Sequence, residues 1–377
     1  MQVYTQSRRP SERTEQFLND YLSRHPHLPG DRLPSPRQIA AELGVSESTV
    51  RGVVRKWLQE GRLRSRKGSG IFIARQTGSP SGLLRIGANV RNERRTSEGW
   101  GNMIHAHALE AVLELGPRGS FMSLYSSTEE IDALSDEEVV ARCREMDGMI
   151  IYQSDPHTRS IVETCRRRGI PYVHLNPPGD DAVSNFVSVE TFTAFYRITR
   201  TLRESGRKRF AAMIYPELEH SVTVRQRLSG IINGIGLELG RSLDLRIVSC
   251  GGYSENHGYT AMAELLERDG FVPDAVLAAG DPIALGAFRA LNERGLSIPG
   301  EVAVIAGAGF ERGVAENDLT ALAQPLREMG CELVRMLLEM IDEKRLTCPA
   351  KILPVGIRTG SSTTAEESAR LEAAFRA

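Results

Sequence analysis

The basic side chains between Arg62 and Lys67 are the first group in this chain whose type and spacing indicate a chemistry. Arginine stands at every second position from Arg62 to Arg66, and Lys67 is followed by Gly68 and Gly70. Alternation that ends in glycines predicts a two-stranded ribbon with a cationic tip. Such a tip suits binding to a polyanion.

Charge is distributed unevenly along the 377 residues. Residues 1–75 contain 14 Lys and Arg against 7 Asp and Glu, a balance of +7, and because the whole chain has −1 the remainder carries −8. A basic head on an acidic body is typical of a polyanion-binding module joined to a domain that does not bind the polyanion. Chance clustering of solvated charge is the alternative.

Helical patterns precede the ribbon. An amphipathic helix is predicted over 13–23, and Ser35 with Gln38 forms a capping box in front of a short helix at 36–43. Ser46 is the next N-cap, after a tight turn. Two helices joined in this way form a helix-turn-helix, and a basic wing behind it makes a DNA-binding arrangement.

The segment at 29–73, PGDRLPSPRQIAAELGVSESTVRGVVRKWLQEGRLRSRKGSGIFI, resembles the DNA-binding domain of the GntR family. The resemblance implies a winged helix-turn-helix domain over residues 1–75. Hydroxyls and a guanidinium in the first turns of its second motif helix suit phosphate and groove-edge contacts. The family's phosphate and base contacts correspond to Ser35, Arg37, Ser46, Glu47, Ser48, Thr49, Arg51, Lys67 and Gly68.

Glu47 departs from the family, which often has an arginine there that contacts guanine. A carboxylate cannot donate a hydrogen bond to guanine, but it can accept one from cytosine N4. We therefore expect the operator to differ at this position from commoner GntR sites.

A polar, turn-rich segment at 76–82 predicts a flexible linker. Beyond it, apolar strand-like runs alternate with amphipathic stretches such as 103–115 and 190–202. This alternation predicts a parallel-sheet α/β domain, with two doubly wound lobes and ligands beyond the carboxyl ends of the strands. The runs are LLRIGANV, GMIIY, PYVHL, FAAMIY, LRIVSC, AVLAAG and VAVIAG.

This large domain is similar to the effector domain of the LacI/GalR family, itself similar to periplasmic sugar-binding proteins. A GntR-type head on a LacI-type body is also the arrangement of the arabinose repressor of Gram-positive bacteria. The motifs that carry the similarity are SVTVRQRLSG at 221–230, AVLAAGDPIALGAFRALNERGLSIPGEVAVIAG at 275–307, LTALAQPLREMG at 319–330 and ILPVGIRTGSST at 352–363.

The similarity also implies how the body is divided. Residues 83–365 form the effector-binding and dimerisation domain, and 366–377 form a C-terminal tail. Lobe 1 is expected at about 83–186 and 325–351, and lobe 2 at about 187–324 and 352–365.

Family positions that line the effector cleft provide a second set of candidate residues. Arg227 can donate forked hydrogen bonds to vicinal hydroxyls or a carboxylate, and Trp100 and Tyr253 offer flat faces to a sugar ring. A structural ion pair and core packing are the alternatives. Asp281 is predicted to be a structural partner at a helix N-terminus. The complete set is Trp100, Tyr152, Asn176, Thr223, Arg227, Tyr253, Gly280 and Ala308.

Two departures affect the expected ligand. The family's usual Asn-Asp is Gly-Asp at 280–281, and its GxDD or GYDD loop is AGAG at 306–309. An amide and a carboxylate that usually hold sugar hydroxyls are therefore missing. The open alternatives to a simple hexose are a larger or anionic ligand and the loss of strong effector binding. Donors for an anion would be the arginines after the first strand, Arg91, Arg94 and Arg95.

Other patterns give no catalytic or metal site. The five cysteines are scattered without metal-ligand spacing, which fits a reducing cytoplasm, and His105 and His107 point to different sides of a predicted helix. GAGFERG at 307–313 lacks the spacing of a dinucleotide loop, and no nucleophile can be assigned to a base. We expect no metal, no cofactor and no enzymatic activity. Because the sequence shows neither an N-terminal apolar segment nor an apolar run of membrane-spanning length, we expect neither secretion nor membrane insertion.

These features predict a cytoplasmic homodimer. Its heads would bind the half-sites of a pseudo-palindromic double-stranded DNA operator, and its cleft would bind a small effector such as a sugar or sugar derivative. Repression relieved by the effector is the favoured form of control. The alternative is a DNA-binding dimer whose large domain only dimerises and binds no regulatory small molecule.

Overall fold

A computed structural model of the chain describes residues 9–24, 33–59, 63–66, 70–73, 84–89, 104, 106–111, 119–124, 133–152, 156–215, 221–236, 244–268 and 270–376. The linker expected at 76–82 lies outside these residues. The N-terminal module has three helices and a two-stranded antiparallel sheet. Its elements are α1 (Pro10–Arg24), α2 (Pro36–Leu43), α3 (Glu47–Gln59), β1 (Leu63–Arg66) and β2 (Gly70–Ile73).

Local sequence signals explain the bounds of α2. The Ser35 side chain accepts a hydrogen bond from Gln38 N while Gln38 Oε1 accepts one from Ser35 N at 2.8 Å, which completes the capping box. Gly44 ends the helix in the left-handed region with φ 62°. The predicted helix at 36–43 is therefore confirmed. The antiparallel pairing of β1 with β2 confirms the two strands of the wing, whose predicted cationic tip at 67–69 lies outside the described residues.

Trp57 of α3 is the centre of the core of this module, and only 1% of it is exposed. It belongs to one buried cluster with Leu18 from α1, Ile39 from α2 and Leu63 from β1. Leu33 N donates to a carbonyl of β2 at 2.8 Å, which joins the wing to the entry of α2. The module thus has a core of its own.

The described residues from 84 onward form two six-stranded sheets with helices between the strands. The strands are β3 (Leu84–Ala88), β4 (Gly119–Ser123), β5 (Gly148–Ile151), β6 (Tyr172–Leu175), β7 (Phe186–Val189), β8 (Arg209–Ile214), β9 (Asp244–Ser249), β10 (Ala275–Ala278), β11 (Ala303–Ala306), β12 (Thr320–Ala323), β13 (Lys351–Leu353) and β14 (Gly356–Arg358). The helices are α4 (Asp136–Cys143), α5 (Thr158–Arg168), α6 (Thr191–Glu204), α7 (Val222–Ile235), α8 (Glu255–Glu267), α9 (Asp281–Glu293), α10 (Arg312–Glu316), α11 (Leu326–Asp342) and α12 (Ala365–Arg376). Residues 106–111 are also helical.

The first sheet has the order β13-β7-β6-β5-β3-β4 and is parallel throughout. The second has the order β14-β12-β11-β10-β8-β9, with only β14 antiparallel to its neighbour. Each of the seven apolar runs coincides with a strand of one of these sheets to within one or two residues at its start and to within a few at its end. The predicted fold class, a winged helix-turn-helix with a two-lobed doubly wound parallel-sheet domain, is confirmed.

Two of the approximate lobe divisions lie near the ends of strands of the first sheet. Strand β7 pairs with β6, so the chain leaves the first sheet after Val189, close to the division expected at about 186/187. Strand β13 pairs with β7, so the chain leaves this sheet again after Leu353, close to the division expected at about 351/352. Hydrogen-bonded pairing defines these divisions, and a local sequence pattern does not reveal it.

The C-terminal segment after Thr364 is a packed helix. Helix α12 lies against α6, and Leu371 is fully buried. Glu367 accepts hydrogen bonds from Arg207 Nε at 2.7 Å and Nη2 at 3.3 Å. The same guanidinium donates to three backbone carbonyls, those of Asp274, Pro299 and Glu301. Arg207 therefore fixes α12 to the loops at one end of the second sheet.

No helix within the described part of the chain is long and apolar enough to cross a membrane. The same residues contain no group of three His, Cys, Asp or Glu side chains arranged to hold a metal ion. All five cysteines are free, and Cys143 and Cys165 lie with their sulfurs 3.7 Å apart.

Candidate functional sites

Helix α3 has one buried face and one exposed polar face. Val50, Val53, Val54 and Trp57 are buried, whereas Ser48, Arg51, Gly52 and Arg55 are exposed at helical spacing on the other side. A β-carbon at Gly52 would have no atom within 4 Å, so the module's own packing does not require a glycine there. We call Ser48, Arg51, Gly52 and Arg55 the exposed stripe of α3. It is a flat, cationic and hydroxyl-bearing surface.

The residues at the start of α3 are joined by short hydrogen bonds. Ser46 Oγ lies 2.7 Å from Thr49 Oγ1 and 2.9 Å from Ser48 Oγ, and it accepts from Thr49 N at 3.2 Å. Arg51 donates through Nε and Nη2 to Glu47 Oε1 at 2.9 and 2.6 Å. The structure thus gathers five predicted contact residues, at positions 46–49 and 51, in one turn and a half, with the Glu47 carboxylate holding Arg51.

Of the other four predicted DNA contacts, two are described by the structure and two are not. Ser35 and Arg37 are exposed at the start of α2, where the Ser35 hydroxyl is already engaged in capping. Lys67 and Gly68 lie outside the described residues. Arg55 was missed by the sequence reading, although its position seven residues after Ser48 was the available signal.

Four predicted cleft residues lie together near the carboxyl ends of β8, β10 and β11. They are Arg227, Tyr253, Gly280 and Ala308. Arg227 Nη1 donates to Ala279 O at 2.6 Å and lies 3.5 Å from Tyr215 Oη. The ring of Tyr215 meets that of Tyr253 edge to face, with centroids 5.1 Å apart. Tyr253 in turn covers Gly280. Arg227 Nε is buried without an acceptor among the described residues, so this wall retains an unused donor.

The hydroxyl of Tyr253 is held in its protonated form. Burial raises its pKa above the ordinary value of 10, and the negative charge of Asp281 adds to the shift while Arg227 opposes it. The residue is nonetheless 47% exposed, which leaves part of its ring open. A protonated phenol beside a guanidinium offers donors and an apolar face to a hydroxylated ligand.

Asp281 is fully buried and organises the neighbouring loop. Its Oδ1 accepts from Ala308 N at 3.0 Å and Gly309 N at 2.8 Å. Its Oδ2 accepts from Phe310 N at 2.8 Å and Glu311 N at 3.0 Å. The prediction that Asp281 is a structural partner is therefore confirmed, and Ala308 has its N–H occupied and presents only a methyl group.

Other predicted residues occupy the first lobe or the start of α7. Tyr152 follows β5, is 4% exposed, and donates its N–H to Asn89 Oδ1 at 2.8 Å. Asn176 follows the neighbouring strand β6 and accepts from Ser188 Oγ at 2.9 Å. Thr223 lies one turn before Arg227, with its hydroxyl 3.1 Å from Ser221 Oγ.

The hydrogen bonds of Tyr152 to Asn89 and of Asn176 to Ser188 thus join residues of the first lobe. Trp100 and the three arginines at 91, 94 and 95 lie outside the described residues. Tyr215 was not among the predicted site residues, although it is the last residue of the predicted strand run FAAMIY.

One ion pair joins the two lobes beside these residues. Arg225 Nη2 of α7 lies 2.8 Å from Asp180 Oδ2, in the loop between β6 and β7. Arg225 is two residues from both Thr223 and Arg227. The first and second lobes are therefore in contact next to the candidate cleft.

A winged helix-turn-helix module joined to two doubly wound lobes defines a class of two-part proteins, and sequence profiles agree with both parts. Residues 10–73 match the profile of bacterial regulatory proteins, gntR family. Residues 199–363 match the periplasmic binding protein-like domain. The chain combines a GntR-type helix-turn-helix domain with a periplasmic-binding-protein-like domain, and the predicted combination is confirmed.

Curated relatives of the chain are transcription regulators. The HTH-type transcriptional regulator CelR of Thermobifida fusca is 32% identical over 206 residues, which are 52% of this chain and 57% of CelR. Catabolite control protein A of Staphylococcus aureus is 24% identical over 337 residues, 86% of this chain and 98% of that protein. The chain therefore matches little more than half the length of CelR but nearly all of the second relative.

Solved structures of the LacI family share the fold of the large domain. A LacI family transcriptional regulator from Enterococcus faecium with bound ribose has a TM-score of 0.61 and 24% identity, over 74% of this chain and 98% of that one. The lac repressor dimer bound to operator and the anti-inducer ONPF has a TM-score of 0.61 and 23% identity, over 75% of this chain and 95% of that one.

Proposed function

We propose that this chain is a sequence-specific DNA-binding transcription regulator rather than an enzyme, and that it acts in the cytoplasm as a homodimeric repressor on a pseudo-palindromic operator. The observation that carries the proposal is the exposed stripe of α3, which leaves two guanidinium groups and a hydroxyl on the outer side of a helix-turn-helix. The regulator relatives and the operator-bound lac repressor dimer support it.

The chemistry of the stripe fits entry into the major groove. Arg51 can donate to guanine O6 and N7 or to phosphate, and Arg55 lies one turn further along the same face. Gly52 between them lets the helix backbone approach the DNA closely. The balance of +7 over residues 1–75 supplies the long-range attraction.

The test starts with selection of binding sites from random duplexes by the full-length protein, followed by fluorescence anisotropy on the selected site. We expect Arg55→Gln to weaken operator binding by about tenfold and to reduce the slope of log K against log salt concentration by about 1.

Lys56→Gln is the matched control, since it removes the same charge from the adjacent position, where Lys56 pairs with Glu15 at 2.6 Å. Binding that does not discriminate any sequence from random duplex would overturn the proposal.

For the large domain we propose a sugar or sugar derivative as the effector, bound between the lobes. The donors of Arg227 and Tyr253 and the partly open Tyr253 ring support this ligand class. The ribose bound in the related Enterococcus faecium structure supports it as well. Binding would shift the lobes and with them the placement of the two heads, which changes operator affinity by the differential affinity of the effector for the two arrangements.

Titration calorimetry of the full-length protein with the neutral sugars ribose and galactose tests the cleft. Arg227→Gln should weaken a binding sugar by about tenfold, because the forked donor is lost. The control Arg335→Gln, an exposed residue of α11 paired with Glu332, should not weaken binding. If no compound binds or changes operator affinity, the large domain serves only dimerisation.

A further inference from the structure

A second cavity lies in the first lobe, outside the cleft. It has a volume of about 650 Å³ and is bounded by the end of α5, by β6 and by the loop that joins β6 to β7. Its polar lining includes Arg166, Tyr172, His174, Asp181 and Thr347. None of the seven described residues of the predicted cleft contributes to it.

The register of β6 explains why the cavity is separate from the main core. Val173 and Leu175 point to the large core, whereas Tyr172 belongs to the smaller cluster on the opposite face. Because side chains alternate along a strand, His174 shares the face of Tyr172. The cavity therefore opens from the face of the sheet that carries α4 and α5.

His174 is a nearly buried polar residue in the lining of this cavity. Only 8% of the residue is exposed, yet its ring nitrogens make no hydrogen bond to any described residue. Its described ring contact is edge-to-face with Tyr172, at 5.6 Å. Burial and the positive charge of Arg166 lower the pKa of His174 to about 4. The imidazole is therefore neutral at physiological pH and offers one donor and one acceptor to the cavity.

Arg166 supplies a positive charge to the lining of the cavity. Its Nε donates to Tyr172 Oη at 2.9 Å, which orients the guanidinium. Its Nη groups have no hydrogen bond or carboxylate partner within the described part of the chain. Two parallel N–H groups of arginine match a carboxylate or a phosphate. Asp181 at the rim is exposed and is suited to accept from a hydroxyl rather than to face an anion.

We propose that this cavity is a second small-molecule site, for a hydroxylated organic anion whose charged group pairs with Arg166 and whose hydroxyls bond to His174 and Asp181. The volume is that of a site for a small metabolite. Gly179 and Asp181 of its wall flank Asp180, which forms the ion pair with Arg225 of the other lobe. A ligand that moves this loop acts directly on the contact between the lobes.

Titration calorimetry of the full-length protein with ribose 5-phosphate and with gluconate tests the site. We expect at least one probe to bind, with its affinity weakened tenfold or more in Arg166→Gln and also weakened in His174→Gln. Arg167→Gln is the matched control on the same helix, since Arg167 is exposed like Arg166 but does not line the cavity and pairs with Glu163. Thermal melting of each variant checks that it is folded.

Arg227→Gln separates this cavity from the cleft. Unchanged probe affinity in Arg227→Gln together with weakened affinity in Arg166→Gln supports the proposal, whichever of the two anions binds. Loss of binding in Arg227→Gln with no effect of Arg166→Gln places the probe in the cleft and overturns it. Binding of neither probe overturns it as well. None of these measurements involves DNA, so failure here is distinguishable from failure of the proposed regulator function.

Discussion

The ring of Tyr253 lies directly against the α-carbon of Gly280. A β-carbon at position 280 would overlap Tyr253 Cε2 and come within 2.8 Å of Tyr253 Oη. The departure from the LacI-type Asn-Asp pair is thus matched by an aromatic ring from a distant loop, which occupies the space of the missing side chain. Any ligand at this wall meets a phenol where the Asn-Asp pair expected from the resemblance would present an amide.

Gly280→Asn should therefore destabilise the second lobe. The new side chain must displace Tyr253, and overpacking of this kind costs about 1–3 kcal/mol. Urea unfolding of Gly280→Asn, Tyr253→Ala and the double variant measures the coupling. We expect the double variant to be more stable than the sum of the single effects predicts. Strict additivity would mean that the two residues do not compete for space.

Gly52→Ala should make the N-terminal module more stable and its DNA binding weaker. Alanine in a helix interior is favoured over glycine by about 1 kcal/mol, and no atom within 4 Å obstructs the added methyl. On the outer side, the same methyl would keep the helix from the base edges and weaken binding by about tenfold, or 1.4 kcal/mol.

Thermal melting measures the stability of the variant, and fluorescence anisotropy on the selected operator measures its affinity for DNA. Because the variant is expected to gain stability, weaker binding could not be attributed to unfolding. Unchanged operator affinity would show that the backbone at Gly52 does not approach the DNA.

Glu47→Arg should change the preferred base at one position of each half-site. The native carboxylate can accept from cytosine N4, whereas arginine donates to guanine, and a good bidentate contact discriminates by about 1–3 kcal/mol. Arg51 also loses its partner, since its Nε and Nη2 now donate to Glu47 Oε1. Binding-site selection with the native protein and with Glu47→Arg measures the preferred base at this position. Identical preferences would contradict a role for Glu47 in base recognition.

Glu367→Gln should cost stability that depends on pH. Burial alone would raise the pKa of Glu367, but hydrogen bonds from Arg207 and Thr364 outweigh it and hold the pKa below the ordinary value of 4.5. A carboxyl with a lowered folded-state pKa contributes stability above its unfolded-state pKa, and this contribution is lost as the pH falls through the folded-state value. Removal of one partner of a buried pair costs about 3 kcal/mol at neutral pH.

Urea unfolding at pH 7, 5 and 3 gives the free energy of unfolding of the native protein and of Glu367→Gln. We expect the difference between the two free energies to be smallest at pH 3. Glu366→Gln is the control, because Glu366 forms an exposed pair with Arg370 on the same helix. It should change stability by less than about 1 kcal/mol at every pH. A cost for Glu367→Gln that is independent of pH would contradict the assignment.

Features set by neighbouring residues were predictable from the sequence, whereas features set by distant residues were not. The bounds of α2 follow from Ser35, Gln38 and Gly44, all within ten residues, so propensity and capping suffice. The lobe divisions near Val189 and Leu353 are predicted only approximately, because β7 and β13 pair with each other across more than 160 residues of chain. The structural role of Asp281 was predictable from its place at a helix N-terminus, but its four hydrogen bonds to the loop at 308–311 were not.

By itself the sequence determined the winged helix-turn-helix, the parallel-sheet class and the polar residues at the start of α3, because caps, periodicity and charge act over a few neighbouring residues. Only the tertiary structure decided that Tyr253 replaces a side chain at 280, that Arg207 holds α12, and that His174 and Arg166 share a cavity. These relationships join residues that are distant along the chain or lie on different elements, and their geometry is fixed only when the sheets and helices pack.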